Sequence, residues 1–235
     1  MGTQKVPVSK ELISGLQYSL PIMAGYFPVA VAFGILGNNV GITALEGTVM
    51  SLAVFAGAAQ FAALHLFVAA TAGWQIIIAV FFLNLRHFLM SASLSHKIAF
   101  SSKLQRLITA FGVTDETFAV QSAVDRTLSF PFMAALEAGA YTAWVAGTIA
   151  GYLIGGFFSS ALQSALSVGL YGLFAALSLP YLKTGGRFIV LFITSGVLNW
   201  ITSDLLALPS GWGFVIAMIG ASALGTSISE KKETR

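Results

Sequence analysis

The sequence predicts an all-α, polytopic helical membrane protein, with broken or re-entrant helices and inverted halves as an option. Three observations carry that expectation. Composition is the first: 57% of residues are hydrophobic, 9% are charged and mean hydropathy is +0.85, whereas soluble domains are about one-quarter charged. The second is the length of the apolar runs, which fall at 16–37, 47–72, 74–94, 130–154, 161–182, 187–206 and 211–228. About 20 apolar residues cross ~30 Å of hydrocarbon, so these runs correspond to about six to eight membrane segments. The third is pattern: barrel strands alternate polar and apolar residues over ~10 positions, and these runs do not.

The same composition excludes other classes. With no cysteine, disulfides, thiolate metal sites and cysteine nucleophiles are ruled out. A net charge of +3 marks membrane topology rather than nucleic acid binding. The opening MGTQKVPVSKEL has no apolar signal core. We expect residues 1–235 to form a single transmembrane domain, with residues 1–14 and 229–235 as cytoplasmic tails. Neither a metal nor another cofactor is expected.

The first run, LPIMAGYFPVAVAFGILG, contains Pro21, Gly25, Pro28 and Gly34. Each proline removes an amide donor and crowds the preceding turn, so the run is expected to bend or unwind and free carbonyls that could receive an ammonium group. A merely kinked packing helix is the plainer alternative. Tyr26 lies between the two prolines and joins the candidate binding residues.

Lysine and arginine fall at 5, 10, 97, 103, 106, 126, 183, 187, 231, 232 and 235, leaving Arg86 as the basic residue inside a run. The positive-inside rule makes the other positions cytoplasmic, both termini included, with Trp74, Trp200 and Trp212 as interface anchors. Three runs between Lys10 and Lys97 then create a parity problem. The second run, GTVMSLAVFAGAAQFAALHLFVAATA, has a small, amide-bearing centre at Gly57, Ala58, Ala59 and Gln60. A re-entrant hairpin there restores parity; an intact helix packed through small residues, with Gln60 bonded to a neighbour, is the other reading.

In the third run, helical geometry places Asn84, His87 and Ser91 on one face and Arg86 nearly opposite. Arg86 precedes Lys97 by eleven residues, about 16 Å of helix, which is too deep for easy snorkelling and calls for an anionic partner. Glu137 is the candidate, because it lies eleven residues beyond Arg126. With Tyr141, Trp144 and Thr148 it forms a polar-aromatic stripe suited to a cavity wall. The pair is either a fixed structural one or a site in which Arg86 receives a substrate carboxylate. His87 is a candidate proton relay; His65 and His96 are weaker.

Between the third and fourth runs, LQRLITAFGVTDETFAVQSAVDR is moderately apolar, with Gly112, Thr114, Asp115 and Glu116 at its middle. It is expected to leave and return on one side. Either its acids cap a surface helix-turn-helix, or they are titratable carboxylates on a re-entrant gate.

Four stretches, PIMAGYFPVAVAFGILG, SLAVFAGAAQFAAL, NLRHFLMSASLS and TDETFAV, resemble in order and spacing the AzlC family, bacterial large subunits of branched-chain amino acid exporters. The resemblance covers roughly residues 15–228. It implies proton-driven export of valine, leucine, isoleucine and similar amino acids such as methionine, from a bacterial inner membrane, with a small AzlD-type membrane subunit. The residues themselves, not the resemblance, give the substrate-binding candidates Arg86, Asn84, Gln60, Gly57, Tyr26, Glu137 and Trp144. The proton-coupling candidates are His87, Glu137, Asp115 and Glu116. A passive channel for small neutral solutes and a membrane scaffold or accessory subunit are the alternatives; an enzyme is disfavoured, since no metal-ligand cluster or arranged nucleophile and base is seen.

Overall fold

The computed structural model describes residues 7–157 and 186–206, together with positions 159, 161, 216, 220, 221, 223 and 224. The runs at 161–182 and 211–228 and the tail at 229–235 therefore lie almost wholly outside the described residues, as does Trp212. The described residues are helical, with one isolated parallel bridge between Ile98 and Leu128. Two helices are long and apolar enough to cross a membrane, Val8–Asn39 and Gly73–Leu94. The chain divides into two compact units, residues 1–61 with 84–169 and residues 62–83 with 170–235.

The first unit is built on α1 (Val8–Asn39) and α7 (Phe130–Ile154). Of the two readings of the first run, unwinding falls and the packing helix holds: α1 runs unbroken through Pro21 and Pro28. Each proline deletes a single donor, and the flanking ladder bonds suffice to carry the helix past it. The two helices meet along a seam of small residues. A Cβ on Gly34 would stand 3.0 Å from the Cα of Gly151, and a Cβ on Gly151 would stand 3.0 Å from the Cα of Gly34. Only glycine on both sides allows this approach, the membrane analogue of small-residue helix crossings. Ser129 caps α7, accepting from the Phe132 amide, and Pro131 stands in its first turn where no donor is needed.

The second run is broken, so the intact-helix reading falls. It forms α2 (Ala44–Val54) and α3 (Gly57–Val68). Thr43 and Glu46 make a reciprocal cap at the start of α2. The break itself comes at Phe55, which adopts a left-handed conformation with φ 41° and ψ 45°, just ahead of the expected Gly57–Gln60 centre. A phenylalanine there costs about 1–3 kcal/mol. Burial offsets it: Phe55 is 2% exposed, with its ring 5.1 Å from Tyr141 and 6.1 Å from Tyr26.

The third run gives α4 (Gly73–Leu94), and the irregular region gives α5 (Lys103–Gly112) and α6 (Asp115–Ala123). Lys97 donates to the carbonyls of Ser122 and Val124 at 2.6 and 2.9 Å, closing the end of α6. At the same end, Arg126 grips Glu11 through two bonds of 2.9 Å, and Ser129 donates to the same carboxylate. In the second unit, α8 (Gly186–Trp200) runs into a wider turn over Ile201–Leu205, where the Thr202 hydroxyl donates to the Leu198 carbonyl. Trp74 and Trp200 are exposed.

Candidate functional site

The first unit encloses a chain of buried polar side chains. It starts where α2 and α3 part. Gln60, 1% exposed on the first turn of α3, accepts from the Trp144 indole N–H at 2.9 Å and donates to Ser51 Oγ at 2.9 Å. Ser51 shares a 2.8 Å bond with Thr148, which in turn donates to the Trp144 carbonyl. The amide is thus used at both ends, as burial demands. Gly57 faces the Trp144 ring closely enough that a Cβ would stand 2.6 Å from it.

Trp144 leads to Tyr26, whose ring packs edge-on at 5.3 Å. The Tyr26 hydroxyl lies 2.7 Å from Thr114 Oγ1 and also donates to Glu116 Oε2. Thr114 and Thr117 form a reciprocal cap at the start of α6, with the Thr114 amide donating to Thr117 Oγ1 at 2.7 Å and the Thr117 hydroxyl donating to the Gly112 carbonyl. The α5–α6 turn is therefore not a surface feature: Thr114, Thr117 and Gln121 are buried. Thr114 and Thr117 make the cap, while the acids Asp115 and Glu116 stand in the first turn of α6 and face α4 and α1.

Arg86 finds a different anion from the one expected. Its Nη1 pairs with Asp115 Oδ2 at 2.7 Å, both side chains being 28% exposed. Glu137 instead accepts from Gln121 Nε2 at 2.8 Å. Counting depth along each helix treats the membrane as one dimension. It cannot register that α6 carries Asp115 to the level of Arg86. Among the described residues, the ion pairs are Arg86 with Asp115 and Arg126 with Glu11.

Four buried polar atoms in this region have no hydrogen-bond partner among the described residues: Asn84 Oδ1, Arg86 Nε, Gln121 Oε1 and Glu137 Oε2. Such atoms are uncommon, and each calls for a reason. His87 is half-buried beside Arg86, while His65 and His96 are exposed. No group of three His, Asp or Glu side chains is placed to hold a metal ion among the described residues.

Of the residues that sequence reasoning named, Gly57, Gln60, Tyr26, Arg86, Asp115, Glu116, Glu137 and Trp144 fall in this layer, whereas among the described residues Asn84 Oδ1 has no hydrogen-bond partner and His87 stands next to Arg86 on α4 without a bond into the layer. Sequence reasoning missed Ser51, Thr117 and Gln121. Thr114, Thr117 and Gln121 recur at helical spacing on a segment without other strong signals, a polar stripe that was there to be read.

These features define an α-helical membrane protein with broken helices around a buried polar and ionic layer. The AzlC protein family matches residues 21–158, and the chain belongs to that family. It is 37% identical over 221 residues to an uncharacterized membrane protein of Archaeoglobus fulgidus, covering 92% of each chain. It is 32% identical to the inner membrane protein YgaZ of Escherichia coli, over 88% of this chain and 86% of that one. Identity to the branched-chain amino acid transport protein AzlC of Bacillus subtilis is 29%, over 77% of this chain and 66% of that one. No solved structure matches.

Proposed function

We propose that this chain is a secondary active exporter of branched-chain amino acids, valine, leucine and isoleucine with methionine as a further substrate. In this reading it is coupled to protons and works as the large subunit beside a small AzlD-type membrane subunit. It acts as one multi-pass domain of the cell membrane, with both termini cytoplasmic. The name of the Bacillus relative supports the substrate class.

The observation that carries the reading is the incomplete use of Arg86. Asp115 occupies Nη1, while the buried Nε has no acceptor. A guanidinium is a fork suited to a planar carboxylate, so a substrate carboxylate can take the unused edge and displace Asp115. Both side chains are 28% exposed, so the pair is open at its outer edge, and the substrate reaches the buried Nε as Asp115 leaves. Glu116 with Tyr26 is the receiver for the ammonium group, and the Asn84 carbonyl oxygen is a further acceptor. An aromatic cluster of Phe55, Phe111, Tyr141 and Trp144 stands beside Tyr26 and selects an apolar side chain. Gln60 and Gly57 set the position of Trp144.

Proton coupling draws on His87, Asp115, Glu116 and Glu137. Among the described residues, the partner of Asp115 is the cation that the substrate also seeks, which ties binding to the position of α6. Counterflow of labelled valine into liposomes tests the proposal, with the protein alone and with the small subunit. Uptake against unlabelled valine, abolished by excess leucine, is the expected result. No counterflow in either arrangement refutes it, and simple equilibration without counterflow points to a channel.

A further inference from the structure

Glu137 is the most isolated carboxyl group in the first unit. It lies on α7, is 4% exposed, and has one hydrogen-bond donor, Gln121 Nε2 on Oε1. Its Oε2 has no partner, and neither does Gln121 Oε1, which is fully buried. Neither described ion pair includes it. Two orphan acceptors, with a single donor between them, leave this pocket short of a proton donor. An ionised carboxylate so placed would lack both water and a countercharge, an arrangement costing several kcal/mol. A carboxylic acid removes the deficit, because its O–H supplies the missing donor.

The cover over this group is Gly112, the last residue of α5. A Cβ there would stand 2.5 Å from Glu137 Oε2 and 2.6 Å from its Cδ. A side without room for a Cβ has none for a metal ion and its ligands, whereas a proton requires no space. The Gly112 carbonyl accepts from Thr117, so the lid is tied to the cap of α6. From that cap Thr114 reaches Tyr26, and Asp115 reaches Arg86. The α5–α6 turn therefore touches both the carboxyl and the ion pair.

We infer that Glu137, covered by Gly112, carries the coupling proton, and that release of Asp115 from Arg86 lifts the α5–α6 turn and uncovers it. This rests on the transport reading above. A substrate carboxylate on Arg86 frees Asp115; the turn moves, water reaches Oε2, and the proton leaves the Glu137 oxygen for that water. Return of Asp115 to Arg86 closes the lid only over a re-protonated acid. Gln121 is a positioning residue, holding the carboxyl by its other oxygen.

The test uses purified full-length protein and the variant Glu137→Gln, whose amide reproduces the shape of the neutral acid. In liposomes the variant is expected to exchange valine at a reduced rate that no longer responds to pH, and to lose accumulation driven by an imposed pH gradient. Accumulation that survives in the variant, or that follows a sodium gradient in the wild type, overturns the assignment. A second readout needs no substrate: the infrared spectrum of the wild type at neutral pH should contain a protonated-carboxyl band that Glu137→Gln removes. Absence of that band also overturns the assignment. Gln121→Leu, which keeps the acid but removes its donor, should shift the band, and an unmoved band counts against the geometry. Should the wild type show no counterflow at all, the transport reading fails, and the infrared arm alone decides whether Glu137 holds a proton.

Discussion

Replacing Gly151 by alanine pits two effects of opposite sign against each other. In a helix interior, alanine is favoured over glycine by about 1 kcal/mol. At this position, however, the added methyl meets backbone: the Val31 carbonyl oxygen, the Val31 carbonyl carbon at 3.0 Å and the Gly34 Cα at 3.0 Å. Backbone atoms on a neighbouring helix cannot rotate aside as a side-chain tip can, so α1 and α7 must separate. Overpacking of this kind costs about 1–3 kcal/mol, and the upper half of that range applies where both surfaces are main chain. The net expectation is a loss of about 1–2 kcal/mol. Gly25→Ala is the internal control, because nothing lies within 4 Å of a Cβ there; that variant should gain about 0.5–1 kcal/mol. The two alanines should thus differ by about 1.5–3 kcal/mol, a factor of about 10–150 in the unfolding equilibrium. Unfolding of purified protein in mixed micelles, followed as denaturing detergent is raised, measures the difference. A Gly151→Ala protein as stable as wild type, or a Gly25→Ala protein equally weakened, refutes the account of the seam.

Three further outcomes are expected. Arg86→Lys should keep the fold by holding Asp115 as a point charge, yet weaken valine binding about 10- to 100-fold, since a charge-assisted hydrogen bond contributes about 1.5–3 kcal/mol; wild-type export rates would remove Arg86 from the site. Gln60→Leu leaves the buried Trp144 indole N–H without an acceptor and should cost about 1–3 kcal/mol, nearer the lower end in a membrane interior, while Gln60→Glu, which keeps an acceptor, should lose less in the same micelle titration. Arg126→Ala strands Glu11, whose side chain is 7% exposed, and should cost about 1–3 kcal/mol, discounted for the exposure of the arginine. Adding Glu11→Ala to that variant should then recover part of the loss, and a double variant weakened by the full sum shows that the two do not interact.

Much of this layer could be read from residue types alone. An arginine deep in an apolar run needs an anion wherever the chain goes, and a run with a small, amide-bearing centre is where a helix can part without leaving a large side chain unplaced. What local pattern could not supply was the pairing. A depth count along the apolar runs could reach Glu137 alone, because Asp115 lies outside them, and the true pairing depends on α6 coming in beside α4. Gln60 and Trp144 are 84 residues apart and join only through packing. The break at Phe55 was also invisible, because a left-handed conformation is ordinarily glycine's, and only the aromatic surroundings make a phenylalanine tolerable there. At Pro21 and Pro28 the local rule overshot: loss of two donors did not outweigh a 32-residue helix seated against α7.

The close fit of α1 against α7 also has a consequence for biosynthesis. Roughly ninety residues separate Asn39 from Phe130, so at about 5–20 residues per second the ribosome delivers the second of these helices some 5–20 s after the first. Throughout that interval the notched side of the first helix faces acyl chains or the insertion machinery, with no mate to fill it. The nascent chain should accordingly be most open to capture by quality-control proteases before residue 154 has been delivered and α7 has docked, and resistant soon after.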